Sequence, residues 1–598
     1  MKSQLSINNC LPCRRSFEPF CPSPATRQRG KALRSNSGCA DLFTVCTVAL
    51  TLACVTGDVC AQPTKVPVKT PAITAGAVLA HTKVLASDEY EGRAPGTKGE
   101  DLSVAYIAEE FRKAGVKPAG ADGSYFQPVP LVGIKADPSV SLTFRSATAA
   151  RTLRFKDDMI VRTRRMVEKV SLEQSDLIFV GYGVQAPEYQ WDDYKGVDLT
   201  GKTMVVLVGD PPIPDPKKPG ALDPKMFDGR AMTYYGRWTY KYEMGAAKKA
   251  AAVLIVHETG PAGYPFSVLQ TMVNEQYDLV APDRNMSRCA AEGWITLEQS
   301  RALFAMAGQD FDALKALAVT HEFRPVGLGV KASMTLNNTI RLVTSRNVVG
   351  KVEGSDPVLK HQYVVFTAHW DHLGIGPEVN GDRIYHGAFD NATGIGGLIE
   401  LGRTFSGLKP APKRTLVFLA VTAEEQGLLG SEHYARAPIY PLASTLAVIN
   451  MDGLDILGKT RDLTVVGLGK SDLDDYAHDA AAEQDRVLRS DPEPEKGSYF
   501  RSDHFPFAKQ GVPAINAGGG DDYIGRPADW GRKMRDAYIT EHYHKPSDIV
   551  RPDWDLSGAM QDLQLYFAMA WRLAETDRFP EWKAGSEFKA TRDAVMKK

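Results

Sequence analysis

Three short motifs decide the fold of this chain: Thr367-Ala-His369-Trp-Asp371, Gly387-Ala-Phe-Asp390-Asn-Ala-Thr-Gly394 and Ala423-Glu424-Glu425-Gln-Gly427. Each motif directly follows an apolar stretch or opens a glycine-rich turn. A His and an Asp, a second Asp and an acidic pair, in this order, are typical of two metal ions bridged by a carboxylate. The strand-like run 414–421 ends just before the pair, and Gly427 follows it. The backbone therefore bends where two adjacent glutamates need different roles.

Two more candidate ligands also follow apolar runs or lie on broken loops. The run 446–449 leads into Asn450-Met-Asp452-Gly, and Pro546 interrupts the loop that carries His544. In open α/β sheets, ligands bind in the crevice beyond the carboxyl ends of the strands, so distant residues can converge there. Mixed imidazole and carboxylate ligands without cysteine favour zinc over calcium or magnesium. The candidate metal ligands are His369, Asp390, Glu425, Asp452 and His544.

Each of these residues also has a simpler interpretation. A single His-x-Asp is usually a hydrogen-bonded surface pair, Glu424-Glu425 is typical of a solvated helix start, and Asp390 could cap the helix that follows it. If the simpler interpretations held, these residues would have to occur in this order and at strand ends by chance. We therefore favour the metal site. For the last ligand, His542 and His504 are alternatives to His544, which we prefer for its Tyr-His-x-Pro-x-Asp setting.

The motifs resemble those of the dizinc aminopeptidase family that also contains glutamate carboxypeptidase II. The resemblance covers about residues 75–130 and 335–575. It implies two zinc ions per chain: one held by His369 and Asp452, the other by Glu425 and His544, with Asp390 bridging both. The implied fold is α/β, a mixed and mostly parallel twisted sheet flanked by helices.

The resemblance also implies roles for residues around the ligands. Glu424 matches the general base, and Asp371 matches a carboxylate that fixes the tautomer of the His369 imidazole. The segment Ser502-Asp503-His504, followed by Phe-Pro-Phe, matches a further block of the family. We therefore expect Asp503 and His504 to lie near the site without acting as ligands.

The resemblance and the composition together predict the domain organisation. Residues 1–61 are a signal peptide region, 62–72 a proline-rich linker, 73–134 the first part of the peptidase domain and 335–598 its dizinc part. Residues 135–334 change to strands that end in turns and resemble the protease-associated domain, an α+β insert that would border the cleft. In that block Arg230, Arg237 and Lys241 could face a substrate carboxylate, although surface solvation is their plainer interpretation.

The first 61 residues resemble a secretory leader. Basic residues precede the apolar run 42–55, which is short for a membrane span, and Val59-Cys60-Ala61 offers small residues for cleavage near Ala61. Alternatives are an uncleaved membrane anchor, a lipoprotein cut before Cys54 and a twin-arginine signal at Arg14-Arg15. We expect an exported protein, periplasmic or secreted, with no membrane span once the signal is removed.

The charge and cysteine patterns exclude other classes of protein. The net charge is −1 over 598 residues, and the sequence contains no basic stripe of the kind that binds nucleic acid. Seven of the eight cysteines lie in the leader, and only Cys289 lies beyond it. An intramolecular disulfide framework is therefore excluded for the mature chain if the leader is removed. The sequence does not predict an oligomeric state.

The most consistent function is an exported dizinc aminopeptidase that removes N-terminal residues from peptides through a metal-bridged water activated by Glu424. A glutamate-releasing carboxypeptidase would share the ligands but would need arginines near the site for the carboxylates of its substrate. A dizinc deacylase of N-acyl amino acids usually has Asp-x-Lys-Gly where this chain has Asp390-Asn-Ala-Thr-Gly394. A receptor-like relative without catalysis is disfavoured by the intact ligands and Glu424.

Overall fold

The computed structural model describes residues 73–270 and 274–597, so the leader and its proposed cleavage site lie outside the described residues. The helices are α1 (Ala75–Leu85), α2 (Lys98–Lys113), α3 (Trp238–Ala247), α4 (Thr259–Ala262), α5 (Phe266–Leu269), α6 (Leu297–Met306), α7 (Phe311–Leu317), α8 (Gly394–Ser406), α9 (Leu429–Arg436), α10 (Leu473–Ala482), α11 (His504–Lys509), α12 (Trp530–Glu541), α13 (Ser557–Glu575) and α14 (Lys589–Met596). In the described part of the chain, none of these helices is both long and apolar enough to cross a bilayer.

The strands are β1 (Lys117–Pro118), β2 (Phe126–Ala136), β3 (Ser141–Arg145), β4 (Ala150–Arg154), β5 (Met159–Arg162), β6 (Lys169–Phe179), β7 (Gln185–Ala186), β8 (Trp191–Asp192), β9 (Thr203–Leu207), β10 (Ala252–His257), β11 (Gln276–Leu279), β12 (Ala291–Thr296), β13 (Val326–Val352), β14 (Tyr363–His369), β15 (Gly374–Val379), β16 (Asp382–Tyr385), β17 (Thr415–Val421), β18 (Thr445–Asn450), β19 (Asp462–Val466), β20 (Val487–Ser490) and β21 (Ala514–Gly518). Most of them pair into two large sheets, here called the site sheet and the insert sheet.

The site sheet has the order β11-β2-β13-β17-β14-β18-β21-β19-β20. Its central strands β17, β14, β18 and β21 run parallel, whereas β13, β2 and β11 join it antiparallel. Every residue of β14, β17 and β18 is buried, as expected for parallel strands covered on both faces. The predicted fold class, a mixed α/β sheet flanked by helices, is confirmed.

Helices cover both faces of the site sheet. Residues of α1, α2, α8, α10 and α13 share one hydrophobic core with the strands, including Ile107, Ile399 and Leu563. The opposite face packs against α9 and α11, where Tyr434 and Phe507 are buried. Helices α1 and α2 flank a turn that contains Gly92 and Gly96, both with positive φ. This double coverage fixes the strand ends that carry the candidate site.

The insert sheet has the order β4-β3-β13-β6-β9-β10-β12-β5, and its two faces carry separate hydrophobic cores. The long strand β13 belongs to both sheets: it pairs with β3 and β6 up to Asn337, and with β2 from Asn338. The proposed boundary at 334/335 falls inside this strand. The insert is therefore continuous with the site sheet through ordered strand rather than through a loop.

Candidate metal centre

The first candidate residues lie at the carboxyl ends of three parallel strands. His369 is the last residue of β14, Asp452 lies two residues beyond β18, and Glu424 lies three residues beyond β17. Because these strands are neighbours in the sheet, their ends meet at one edge. Asp390 and His544 reach the same edge from loops that are distant in sequence.

His369 is the centre of one group of possible ligands. Its Nε2 atom lies 3.2 Å from Asp390 Oδ1 and 3.1 Å from Asp452 Oδ1. Ligand atoms of these three residues all lie within 4.8 Å of one another. The opposite ring nitrogen, Nδ1, lies 3.1 Å from the main-chain oxygen of Asp371, which leaves Nε2 free to act as a ligand.

His544 is the centre of a second group. Its Nε2 atom lies 3.0 Å from Glu425 Oε2 and 3.4 Å from Asp390 Oδ2. The φ of His544 is 56°, in the left-handed region that non-glycine residues rarely adopt. Asp390 therefore directs one carboxylate oxygen toward His369 and the other toward His544, as a bridging ligand would.

Negative charge dominates the site. The carboxylates at this edge are Asp371, Asp390, Glu424, Glu425, Asp452 and Asp503, and within the described residues their ion-pair partners are all imidazoles. Burial opposes the charge of Glu425, but the imidazoles of His544 and His372 outweigh it and lower the Glu425 pKa to about 2. Burial also opposes protonation of His544, yet Glu425 and Asp390 raise its pKa to about 10.

This charge arrangement fits divalent cations. Several buried carboxylates repel one another, and cations placed between the carboxylates and the imidazoles would offset that repulsion. A metal ligand must be deprotonated, so ions bound to His369 and His544 would replace the protons that these two imidazoles otherwise hold. The Oε2 atom of Glu425 and the two carboxylate oxygens of Asp390 lie 3.0 to 3.4 Å from imidazole nitrogens, so oxygen and nitrogen donors face one another across both positions. The donor set is therefore chemically suited to zinc.

The backbone separates the two glutamates of the acidic pair. Ala423, directly before the pair, has a φ of 53°, and the main-chain amides of Glu424 and Glu425 both donate to the carboxylate of Asp371, at 3.1 and 3.4 Å. This turn sends Glu425 toward His544 and leaves Glu424 Oε2 4.0 Å from His369 Nε2. Burial and the carboxylate of Asp452 raise the pKa of Glu424 well above its usual value, against the opposing effect of His369.

Asp371 acts differently from the carboxylate–imidazole contact that the resemblance implied. Its main-chain oxygen contacts His369, whereas its carboxylate lies 3.9 Å from the ring and accepts the amides of the acidic pair. The residue is fully buried, and burial raises the pKa of its carboxyl to about 8. Asp371 therefore couples the loop after β14 to the loop after β17.

His372 belongs to the site although the sequence reasoning assigned it no role. Its Nδ1 atom lies 2.6 Å from Glu425 Oε1, and its ring meets that of His544 edge-on at 5.6 Å. A Cβ atom on Gly387 would lie 2.5 Å from the His372 ring, so only glycine leaves space for it. The signal was present in the sequence, because His372 directly follows Asp371.

Three further residues support the ligands. Ser502 Oγ donates to Asp452 Oδ2 at 2.6 Å, and Asp548 accepts the amide of Asp390 at 3.1 Å. The buried guanidinium of Arg93 donates to the main-chain oxygens of Trp370, His386 and Gly387, at 2.8, 2.6 and 2.9 Å. Arg93 lies in the turn between α1 and α2, and it joins the two loops that carry His369 and Asp390.

The remaining candidate residues lie at different distances from the cluster. Asp503 is buried beside it and accepts a 2.5 Å hydrogen bond from Ser431, and burial raises the Asp503 pKa to about 7. His504 packs edge-on against Tyr499, and burial lowers its pKa to about 3. His542 contacts Ser547 instead of the carboxylates. Among the three competing histidines, His544 alone joins the cluster in the described structure.

The family comparison addresses this region directly. Residues 347–568, which contain all the candidate ligands, match the family model described as peptidase family M28. This segment is thus similar to the peptidases of family M28. The resemblance found from the motifs is thereby confirmed, and the M28 segment begins inside β13 and ends inside α13.

Curated relatives match shorter parts of the chain. A probable zinc metalloprotease of Pyrenophora teres f. teres is 37% identical over 112 residues, 18% of this chain and 23% of its own length. The aminopeptidase YwaD of Bacillus subtilis is 30% identical over 217 residues, 35% of this chain and 40% of its own length. The matched segments thus span less than half of either relative.

One solved structure matches over more of the chain. The aminopeptidase from Aneurinibacillus sp. strain AM-1 is 19% identical, and the match covers 85% of this chain and 95% of that one with a TM-score of 0.46.

Proposed function

We propose that the protein is an exported zinc-dependent aminopeptidase with two zinc ions per chain. The observation that carries this proposal is Asp390, whose two carboxylate oxygens lie 3.2 Å from His369 and 3.4 Å from His544. Asp452 completes the donor set on one side and Glu425 completes it on the other. The name of one relative, a probable zinc metalloprotease, supports the choice of metal, and the name of another, an aminopeptidase, supports the reaction.

Glu424 is proposed as the general base. Its carboxylate lies 4.0 Å from His369 Nε2 and takes no part in the shorter contacts that join Asp390 and Glu425 to the histidines. In this role Glu424 takes a proton from the attacking water and returns it to the departing amine. Bound zinc would supply Lewis-acid polarisation of the scissile carbonyl and a lowered pKa of the water.

The acidic surroundings favour a substrate with a free α-amine. A protonated or metal-directed amine would lie beside the carboxylates of Asp452 and Glu424, whereas a blocked amine would lose that attraction. The M28 match also favours a peptidase over a deacylase of N-acyl amino acids. These two points support N-terminal cleavage as the reaction.

Export and the protease-associated character of residues 135–334 are part of the same proposal. Export rests on the basic, apolar and small-residue segments of the leader. The role of the insert at the cleft is supported by contacts between its segment 226–243 and the site domain. Lys509 lies 2.5 Å from Glu243 and 3.0 Å from the Tyr234 hydroxyl, and the Met232 amide donates to the Pro494 oxygen at 3.0 Å.

A substrate panel tests the polarity of cleavage. Zinc-loaded protein is expected to hydrolyse amino-acyl peptides with free amines about 10- to 150-fold faster than the same peptides with acetylated amines, the scale of a lost charge-assisted contact. Product analysis by mass spectrometry would identify which terminal residue is released. Faster cleavage of the acetylated peptides would replace this proposal with the carboxypeptidase or deacylase alternative.

A further inference from the structure

Arg93 is a buried cation whose hydrogen bonds in the described structure all end on main-chain oxygens. The residue is 1% exposed, and its guanidinium donates to the oxygens of Leu85, Trp370, His386 and Gly387, at 2.8, 2.8, 2.6 and 2.9 Å. A guanidinium carries its N–H donors in one fixed plane, so it can hold several segments in one geometry. Burying a charge is costly unless the charge is paired or hydrogen-bonded. These bonds therefore hold three segments that are distant in sequence.

Two of the three segments carry proposed metal ligands. Trp370 directly follows His369, and Gly387 lies three residues before Asp390. Between these segments the chain forms the hairpin β15–β16, which pairs as a separate two-stranded sheet. A two-stranded hairpin is only marginally stable by itself. The separation of the two ligand segments therefore depends on contacts across the base of this hairpin.

The turn that carries Arg93 closes the base of the hairpin. A Cβ atom on Gly92 would lie 2.4 Å from the oxygen of Tyr385 and 2.7 Å from that of Gly374, two residues that pair with each other at the base. Glu91, Gly92 and Arg93 have φ values of 50°, 66° and 54°. Consecutive left-handed residues are uncommon and persist where the surrounding structure holds them. The backbone and the side chain of one turn thus contact both ends of the hairpin.

The same contacts extend to the ligand Glu425 through His372. Gly387, which accepts a hydrogen bond from Arg93, leaves the space that the His372 ring needs, since a Cβ atom there would lie 2.5 Å from the ring. The His372 amide donates to the main-chain oxygen of Arg93 at 3.4 Å, and its Nδ1 atom lies 2.6 Å from Glu425 Oε1. Arg93 is thus linked to ligand segments on both sides of the bridging carboxylate.

We propose that Arg93 is a positioning residue that fixes the separation of the two metal positions before any ion binds. This inference rests on the proposed function, because it takes His369 and Asp390 as metal ligands. Loss of the Arg93 side chain would remove no ligand, but it would let the segments after β14 and before α8 move independently. Both ions should then bind more weakly, since Asp390 serves both positions.

Hydrogen–deuterium exchange of the wild-type protein tests the positioning without any substitution. The protein is stripped of zinc with a chelator, and exchange is followed by mass spectrometry in peptides that cover residues 370–375 and 386–391. These peptides are expected to exchange nearly as slowly as in the zinc-loaded protein, because Arg93 holds them in the absence of the ions. Exchange at the rate of an unfolded peptide after zinc removal would show that the ions order these segments, and would overturn the inference.

Metal binding by Arg93 variants provides the second test. Arg93→Lys keeps the charge but replaces the planar fork with one ammonium group, and Arg93→Met removes the charge as well. Titration against a competing chelator should show zinc Kd values at both positions raised by about 10- to 100-fold, the usual effect of losing a group that supports a ligand, with the smaller change for lysine. In cobalt(II)-loaded variants, the magnetic coupling of the two ions, measured by EPR, should be weaker than in the wild type, because their separation is no longer fixed.

Arg414→Lys is the matched control. Arg414 is also 1% exposed, and it donates to the main-chain oxygens of Leu573 and Ala574 at 3.4 and 3.2 Å. It directly precedes β17, so it lies roughly 20 Å from the carboxyl end of that strand, where the acidic pair follows. The control should lower the melting temperature of the zinc-free protein, as Arg93→Lys should. It should leave both zinc Kd values and the cobalt coupling unchanged.

Failure of this inference can be distinguished from failure of the proposed function. At most one zinc ion bound by the wild-type protein would overturn the two-zinc proposal. Two ions in the wild type, with unchanged Kd values in folded Arg93→Lys protein, would overturn only the role of Arg93. Equal losses of zinc affinity in Arg93→Lys and Arg414→Lys would also overturn it, since they would reflect a general loss of stability. If neither Arg93 variant folds, the exchange of the zinc-free wild-type protein decides the result.

Discussion

Glu424→Gln is expected to lower kcat by about two to four orders of magnitude, the usual contribution of general acid–base catalysis, while the zinc content stays at the wild-type level. Gln keeps the shape of the side chain but cannot accept the proton of the attacking water. The Glu424 carboxylate lies 4.0 Å from His369 Nε2, farther than the carboxylates of Asp390 and Asp452, so its loss should spare the ligands. Steady-state kinetics and elemental analysis of the same preparation provide the measurement.

Glu425→Gln is the matched comparison for this experiment. The Glu425 carboxylate lies 3.0 Å from His544 and 2.6 Å from His372. Its substitution should therefore weaken the binding of one zinc ion and leave the general base Glu424 in place. If zinc is lost in Glu424→Gln and retained in Glu425→Gln, the roles of the two glutamates are inverted.

Asp390→Ala should abolish activity and reduce metal binding at both positions. The two oxygens of Asp390 serve the His369 side and the His544 side, so one substitution removes a donor from each. Substitutions that only support a ligand typically cost about 10- to 100-fold in metal affinity, and loss of a bridging ligand should exceed that range. Zinc titration against a competing chelator, with activity assays, measures the effect.

Asp382→Ala is the control for Asp390→Ala. Asp382 precedes the same loop, is largely exposed and pairs with His386 at 3.2 Å without contacting the cluster. It should retain zinc and activity. Wild-type zinc affinity at both positions in Asp390→Ala would refute the bridging role.

The strands that position the site were predictable because their composition leaves few choices. The run that becomes β17 and the run that leads to Asp452 are continuously apolar, as parallel strands buried on both faces must be. The carboxyl ends of neighbouring parallel strands lie at one edge of a sheet, so the polar residues that follow these strands meet there. The order of the motifs along the chain then indicates which of these polar residues are candidate ligands.

Other features depend on tertiary contacts that no local pattern carries. His372 faces Glu425 only because Gly387 leaves space for its ring, and these residues come from separate loops. His369 contacts the main-chain oxygen of Asp371, whereas the Asp371 carboxylate accepts two amides from the loop after β17, a contact between separate loops.

The predicted boundary at 334/335 shows that a strand can be recognised from its sequence when its pairing partners cannot. The strand β13 runs unbroken from Val326 to Val352, and residues along it alternate between buried and exposed. Alternation predicts a strand, but it does not reveal that the first half pairs in one sheet and the second half in another. The change of partner at Asn338 follows from the packing of β2 against it.

The most direct test of the two-metal account is the number of zinc ions bound per chain. Purified wild-type protein would be stripped with a chelator, reconstituted with excess zinc, passed through a desalting column and measured by elemental analysis against amino-acid quantification. The arrangement of His369, Asp452, Asp390, Glu425 and His544 predicts two tightly bound ions per chain, with activity that follows their restoration. At most one tightly bound ion in fully active protein would contradict it.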